Sequence, residues 1–138
     1  MAALQDSLTI ETDLFEHRAV KPHFINDCCF GEDFAAWLRP KLTDLVSEGF
    51  DIEEPIQEDY GWGFWVRRDN ESFWIALSYC GVGPTDEPAQ WVVSIAYDAG
   101  LNLLRRFLHK PDITTFSVVR DRVFAALKST DGISVIQQ

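Results

Sequence analysis

The chain has 138 residues, 46% hydrophobic and 25% charged, which suits one globular domain around one core and excludes a disordered chain. Its formal charge of −10 lies wholly in the first part, because residues 1–60 carry 14 acids against 4 bases and residues 61–138 carry 8 of each. Phosphate recognition needs cationic surface, so nucleic acid is excluded as an expected partner, while steering toward a basic protein is allowed. No apolar run can cross a bilayer and no early basic residue opens a signal peptide, so a cytoplasmic protein that does not engage membrane is expected.

Residues 1–16 lack a clear period, and residues 1–10 read as a frayed end, Met1 to Asp6 most plainly. Arg18 to Ile25 reads as an edge strand, since Pro22 disfavours helix at Lys21 and cannot donate to a sheet ladder. Asn26 to Gly31 is a turn. After it Phe34, Trp37, Leu38, Leu42, Leu45 and Val46 recur at helical spacing, with Glu32 and Asp33 at the favourable end of the dipole and Gly49 placed to end the run. Pro40 interrupts this period. The expectation is either a kinked helix or two short helices with Pro40 in the first turn of the second.

Phe50 to Gln57 reads as an edge or bulged strand, broken by Pro55. Two β-rich runs then flank Asp69-Asn70, residue types suited to the positive φ of a two-residue hairpin turn. That turn pairs Arg68 with Glu71, Val66 with Phe73, Trp65 with Trp74, Phe64 with Ile75, Gly63 with Ala76 and Trp62 with Leu77. Alternation then separates two faces. Trp62, Phe64, Val66, Phe73, Ile75 and Leu77 form a core face, closed at its rim by Arg68 and Glu71 as an opposite-charge pair. Gly63, Trp65, Arg67, Ser72, Trp74, Ala76 and Ser78 form the other, two tryptophans on a floor of small residues.

Gly81 to Ala89 is a loop, and Trp91 to Tyr97 alternates as the next antiparallel strand, its Ser94 and Ala96 extending the small floor. Leu101, Leu104 and Leu108 suggest a short helix. Phe116, Val119, Val123, Phe124 and Leu127 suggest another over 113–129, before a last short strand at Ile133 to Ile136. Together these elements predict a single α+β domain spanning residues 1–138. Its antiparallel sheet has about four to five strands, with amphipathic helices on one face and the Trp65/Trp74 face partly open.

Chemistry is sparsely marked. Cys28, Cys29 and Cys80 make an odd set that suits a reducing compartment and works as core filler more readily than as a zinc site. His17, His23 and His109 are scattered, no metal-ligand spacing is complete, and no cofactor is expected. A nucleophile pairing Cys80 or Cys29 with a histidine has no specifying pattern. Glu53, Glu54, Glu58 and Asp59 are the densest acidic group; the first two read as edge protection. Glu58 and Asp59 stand beside Tyr60 and Trp62, where a carboxylate can meet an indole or serve as an acid. The binding candidates are therefore Trp65, Trp74, Glu58, Asp59, Tyr60 and Arg67, with no catalytic residue assigned.

The order Pro22-His23-Phe24-Ile25-Asn26, Gly31-Glu32-Asp33-Phe34-x-x-Trp37-Leu38, Gly49-Phe50 and Glu58-Asp59-Tyr60-Gly61-Trp62 resembles a group of small uncharacterised bacterial acidic proteins. A looser similarity runs to the immunity proteins of bacterial toxin systems. The resemblance implies a bacterial cytosolic protein without a cofactor and designates no functional residue. The expected function is a non-catalytic binding protein, immunity-like, that engages a basic protein through the Trp65/Trp74 face. The alternatives are a sugar or small-molecule platform on the same tryptophans, an enzyme with a Glu58 or Asp59 acid, and a homodimer through that face.

Overall fold

A computed structural model describes residues 4–19, 21–24, 30–69, 71–81, 88–98 and 112–137. Strand β1 (Gln5–Thr12) is followed by helices α1 (Glu32–Lys41) and α2 (Thr43–Ser47). Strands β2 (Asp51–Ile52), β3 (Ile56–Glu58), β4 (Gly61–Arg68), β5 (Glu71–Tyr79) and β6 (Ala89–Asp98) come next. Helix α3 (Ile113–Lys128) and strand β7 (Ile133–Gln137) complete the described order. All strands join one seven-stranded sheet in the order β2-β4-β5-β6-β1-β7, with β3 also on β4; every pairing is antiparallel.

The β4–β5 register is the one that the Asp69-Asn70 turn demands, from Arg68 opposite Glu71 to Trp62 opposite Leu77. Asp69 supplies the positive φ of 53°, an angle Asp tolerates better than most residues. The core face holds Trp62, Phe64, Val66, Phe73, Ile75 and Leu77, all buried, and β6 adds Trp91, Val93 and Ile95. Phe34, Leu38 and Leu45 from α1 and α2, and Phe116, Val119 and Val123 from α3, join the same cluster. All the described helices thus pack on one side of the sheet, and none is long and apolar enough to cross a membrane.

Seven strands replace the four to five expected, and three differences in the strands stand out. The first ten residues are not frayed throughout: β1 begins at Gln5 and lies between β6 and β7. Leu8, Ile10 and Thr12 alternate inward and are buried. Thr12 is the polar member, and its Oγ1 donates to Gly132 O at 2.7 Å while accepting from Leu14 N at 3.1 Å. Second, the single strand expected over Phe50–Gln57 divides into β2 and β3 around Pro55, both paired with β4. Third, the terminal strand is longer than expected, reaching Gln137, with a bulge against β1 between Thr9 and Ile10.

Among the described residues of 18–25 no strand forms. Lys21 O accepts from Phe24 N at 3.1 Å, closing a turn around Pro22-His23, while positions 20 and 25 lie outside the described residues. Pro40 sits in the last turn of α1, not the first of α2. The break falls after it, at Leu42, and Thr43 Oγ1 donates to the Pro40 carbonyl at 2.6 Å. The new helical phase turns Val46 outward, 54% exposed instead of on the core face.

Arg68 and Glu71 face each other without closing the rim as a pair. The Arg68 guanidinium lies 4.2 Å over Phe50 and donates to Glu48 O and Thr115 Oγ1. Glu71 Oε1 accepts from Asp112 N at 3.1 Å, at the start of α3. Asp112 then caps that helix, accepting from Thr114 N at 2.9 Å. These bonds, the Thr114 N–H first, hold its carboxyl below the ordinary range. The helix expected around Leu101 to Leu108, the Asn26 to Gly31 turn up to position 29, and most of the Gly81 to Ala89 loop lie outside the described residues.

Candidate functional site

The site rises from the other face of β4 and β5. Trp65 and Trp74 are directly opposed in the ladder. Their rings stand 4.9 Å apart at a 57° tilt, the offset geometry that aromatic quadrupoles favour over a flat sandwich. Ala96 of β6 pairs with Trp74 on the next strand, and Ser94 pairs with Ala76. Ser7 of β1 lies opposite Ser94. A row of small residues, Gly63, Ala76, Ser94 and Ser7, thus crosses four strands on this face.

Gly63 decides where Trp74 lies. A Cβ at Gly63 would stand 2.3 Å from Trp74 Cζ2 and 2.6 Å from Ile75 O. No real side chain tolerates such contacts, so the indole rests across bare backbone. The other end of that indole is held by Tyr60, whose hydroxyl accepts a hydrogen bond from Trp74 Nε1. Tyr60 occupies the two-residue Asp59-Tyr60 turn between β3 and β4. Burial raises its phenol above the ordinary range, the Trp74 bond opposes this, and nearby Glu58 adds to the rise.

Around these rings lies an open groove of about 370 Å³ lined by Glu58, Tyr60, Trp65, Trp74, Ala96, Tyr97 and Asp98. That volume is at the small end of pockets that take small ligands. Of the six candidates from sequence, Glu58, Tyr60, Trp65 and Trp74 converge here. Arg67 stands outside the lining, its guanidinium 4.7 Å over the Trp65 ring and its Nε 3.1 Å from Glu53 Oε2. Asp59 is exposed in the turn and does not line the groove. Sequence reasoning missed Asp98 and Tyr97. The signal was available for Asp98: once Ala96 is set beside Trp74, Asp98 falls opposite Ser72 on the same face.

The remaining chemical candidates disperse. His17 is wholly buried, and its Nδ1–H donates to Phe15 O at 3.0 Å. His23 is exposed, its Nε2 2.6 Å from Glu32 Oε2. Partial burial raises the Cys80 thiol, which opposes the thiolate a nucleophile needs. Cys28, Cys29 and His109 lie outside the described residues. Among the described residues no group of three or more His, Cys, Asp or Glu could hold a metal ion. Ring faces and the indole–phenol pair form the wall of the groove, and two carboxylates line it. No family model, no curated protein and no solved structure matches this chain.

Proposed function

We propose that the chain is a non-catalytic binding protein that engages a basic protein partner through the open Trp65/Trp74 face, in the manner of an immunity protein. One observation carries this reading: Tyr60, Trp65 and Trp74 meet Glu58 and Asp98 around a single groove on the side of the sheet opposite the described helices. Aromatic anchors beside a polar rim are the usual energetic centre of a protein interface. The acid excess of residues 1–60 adds long-range attraction for a cationic surface and a faster encounter. Three cysteines without a disulfide framework suit a cytoplasmic setting, and the GEDFxxWL…EDYGW resemblance suits a small bacterial acidic protein.

The sugar-platform reading is weaker, because the 57° tilt between the indoles offers no flat surface for a pyranose ring. The enzyme reading, with Glu58 or Asp59 as its acid, keeps Glu58 in the groove and loses Asp59, which does not line it.

Calorimetric titration against small proteins of high and low isoelectric point, at two salt concentrations, tests the proposal. Binding confined to a basic protein, weakened by salt and by Trp65→Ala with Trp74→Ala, supports it. Binding to a neutral oligosaccharide instead, or a doubled mass in sedimentation that the tryptophan variants abolish, replaces it by the platform or the homodimer. For the immunity-like form, a gene neighbourhood without a toxin-like reading frame removes that form.

A further inference from the structure

We propose that β7 is a self-pairing edge: two copies of this chain join β7 to β7, antiparallel, across a two-fold axis, and so fuse their sheets into one. Strand β1 separates β7 from the strands of the groove, and the inference stands apart from the binding reading.

The two edges of the sheet are built differently. On the β2/β3 side, residues 51–58 hold Asp51, Glu53, Glu54 and Glu58, with Pro55 between strands of two and three residues. Short strands, charges and proline are the means by which proteins keep an edge from pairing with another chain. Strand β7 has five residues, Ile133-Ser134-Val135-Ile136-Gln137, with no charge and no proline. Among the described residues only β1 pairs with it. Val135 is 41% exposed and Ile136 49%, and Leu14, 51% exposed, lies beside Gly132 at the head of the strand. A bulge is the one protective device here. It falls at Ile136, which has no opposite in the β1 ladder, and leaves Ile133 to Val135 in regular register.

Charge selects the occupant. A basic partner finds no carboxylate in β7. A second copy meets no like charge there, although two chains of −10 repel over the rest of their surfaces. The faces select the register. Ile133 and Val135 stand opposite Thr12 and Ile10, both buried on the helix side. A two-fold axis normal to the sheet keeps the helix sides of both copies together, so each residue pairs with one of its own face. Centred on Ser134, it sets each Ile133 against the other copy's Val135, and Ser134 against itself, favourable cross-strand pairs. Asp131 then falls opposite Gln137. Glu11 lies opposite Ser134 in β1, and the two copies of it are three strand spacings apart. That is about 14 Å, beyond the Debye length of about 8 Å. Both Trp65/Trp74 faces stay open on one side of the joined sheet, which makes the pair bivalent.

Sedimentation equilibrium of the full chain should give a doubled mass. Trp65→Ala with Trp74→Ala should leave it doubled, and Val135→Lys should return it to a single chain with unchanged far-ultraviolet circular dichroism. Ser134 is exposed, so Ser134→Cys tests the register without touching the core. A short bifunctional thiol reagent should link two such chains well beyond the level of the unsubstituted chain, which carries its own three cysteines. Gln137→Cys should not link, because its two copies stand about 20 Å apart along the strands. If Val135→Lys loses its dichroism, the Ser134→Cys link decides alone. A single-chain mass at every concentration up to millimolar overturns the proposal. So does a doubled mass that the tryptophan variants abolish or that a folded Val135→Lys leaves in place, and so does equal linking at the two cysteine positions.

Discussion

On one face of the β4–β5 hairpin Trp62, Phe64, Val66, Phe73, Ile75 and Leu77 are large and buried; on the other, two half-buried tryptophans lie over glycine, alanine and serine. The same strands serve both, so the difference lies in what holds each side. Core residues such as Phe64 and Ile75 share one cluster with α1, α2, α3 and β1, and their positions depend on the whole fold. Trp74 is placed by Gly63 beneath it and Tyr60 at its edge, one in the adjacent strand and the other in the turn that leads into it. The two faces should therefore fail differently.

The largest effect is expected on the packed side. Phe64→Ala removes a ring with no exposed surface and should cost about 3–5 kcal/mol, measured by urea unfolding. Gly63→Ala comes next, because its methyl is driven into Trp74 and the Ile75 carbonyl. A loss of about 1–3 kcal/mol is expected, together with a changed near-ultraviolet circular dichroism from the displaced indole pair. Unchanged dichroism would show that Gly63 does not set the ring. Tyr60→Phe should cost less, about 0.5–1.5 kcal/mol, and shift the Trp74 indole N–H resonance while Phe64 and its neighbours stay in place.

The pH dependence divides along the same line. The Asp112 carboxyl, held low by the Thr114 N–H first, contributes stability above its ordinary value of 3.8. That contribution is lost as pH falls through the lower folded value. Asp112→Asn keeps a capping oxygen and should flatten this acid limb. On the open side, burial raises the Tyr60 phenol, so its contribution is present below its ordinary value of 10.0. It is lost as pH rises through the folded value. Titration of phenolate absorbance should show the rise, and Tyr60→Phe should remove that step. This is the smallest effect of the set.

Local chemistry was readable in advance, and long-range pairing was not. The hairpin register follows from two turn residues and alternation, which is why the sequence alone places both tryptophans on one face. Strand β1 was missed although Leu8, Ile10 and Thr12 alternate. Its two apolar residues and one threonine give a faint signal, and its partners lie far along the chain, Ile10 opposite Trp91 and Thr12 opposite Ile133. Asp98 escaped for a related reason, because its place in the groove depends on how β6 meets β5. Arg68 and Glu71 were adjacent as read, but each found a better partner on elements the hairpin alone does not reveal. At Pro40 the period continued through the proline, and only the packing of Leu42 and Leu45 shows on which side of it the helix breaks.

The position of β1 has a consequence for how the molecule is made. During synthesis it leaves the ribosome before any other described strand, yet its neighbours in the sheet are the last two. Closing a loop of some eighty residues must precede its first ladder bond, a costly and slow step compared with zipping the β4–β5 hairpin. The nascent chain can therefore assemble the β4–β5 hairpin, tryptophans included, while Leu8 and Ile10 still wait in solvent. A newly made protein would then carry its opposed Trp65 and Trp74 earlier than its finished core.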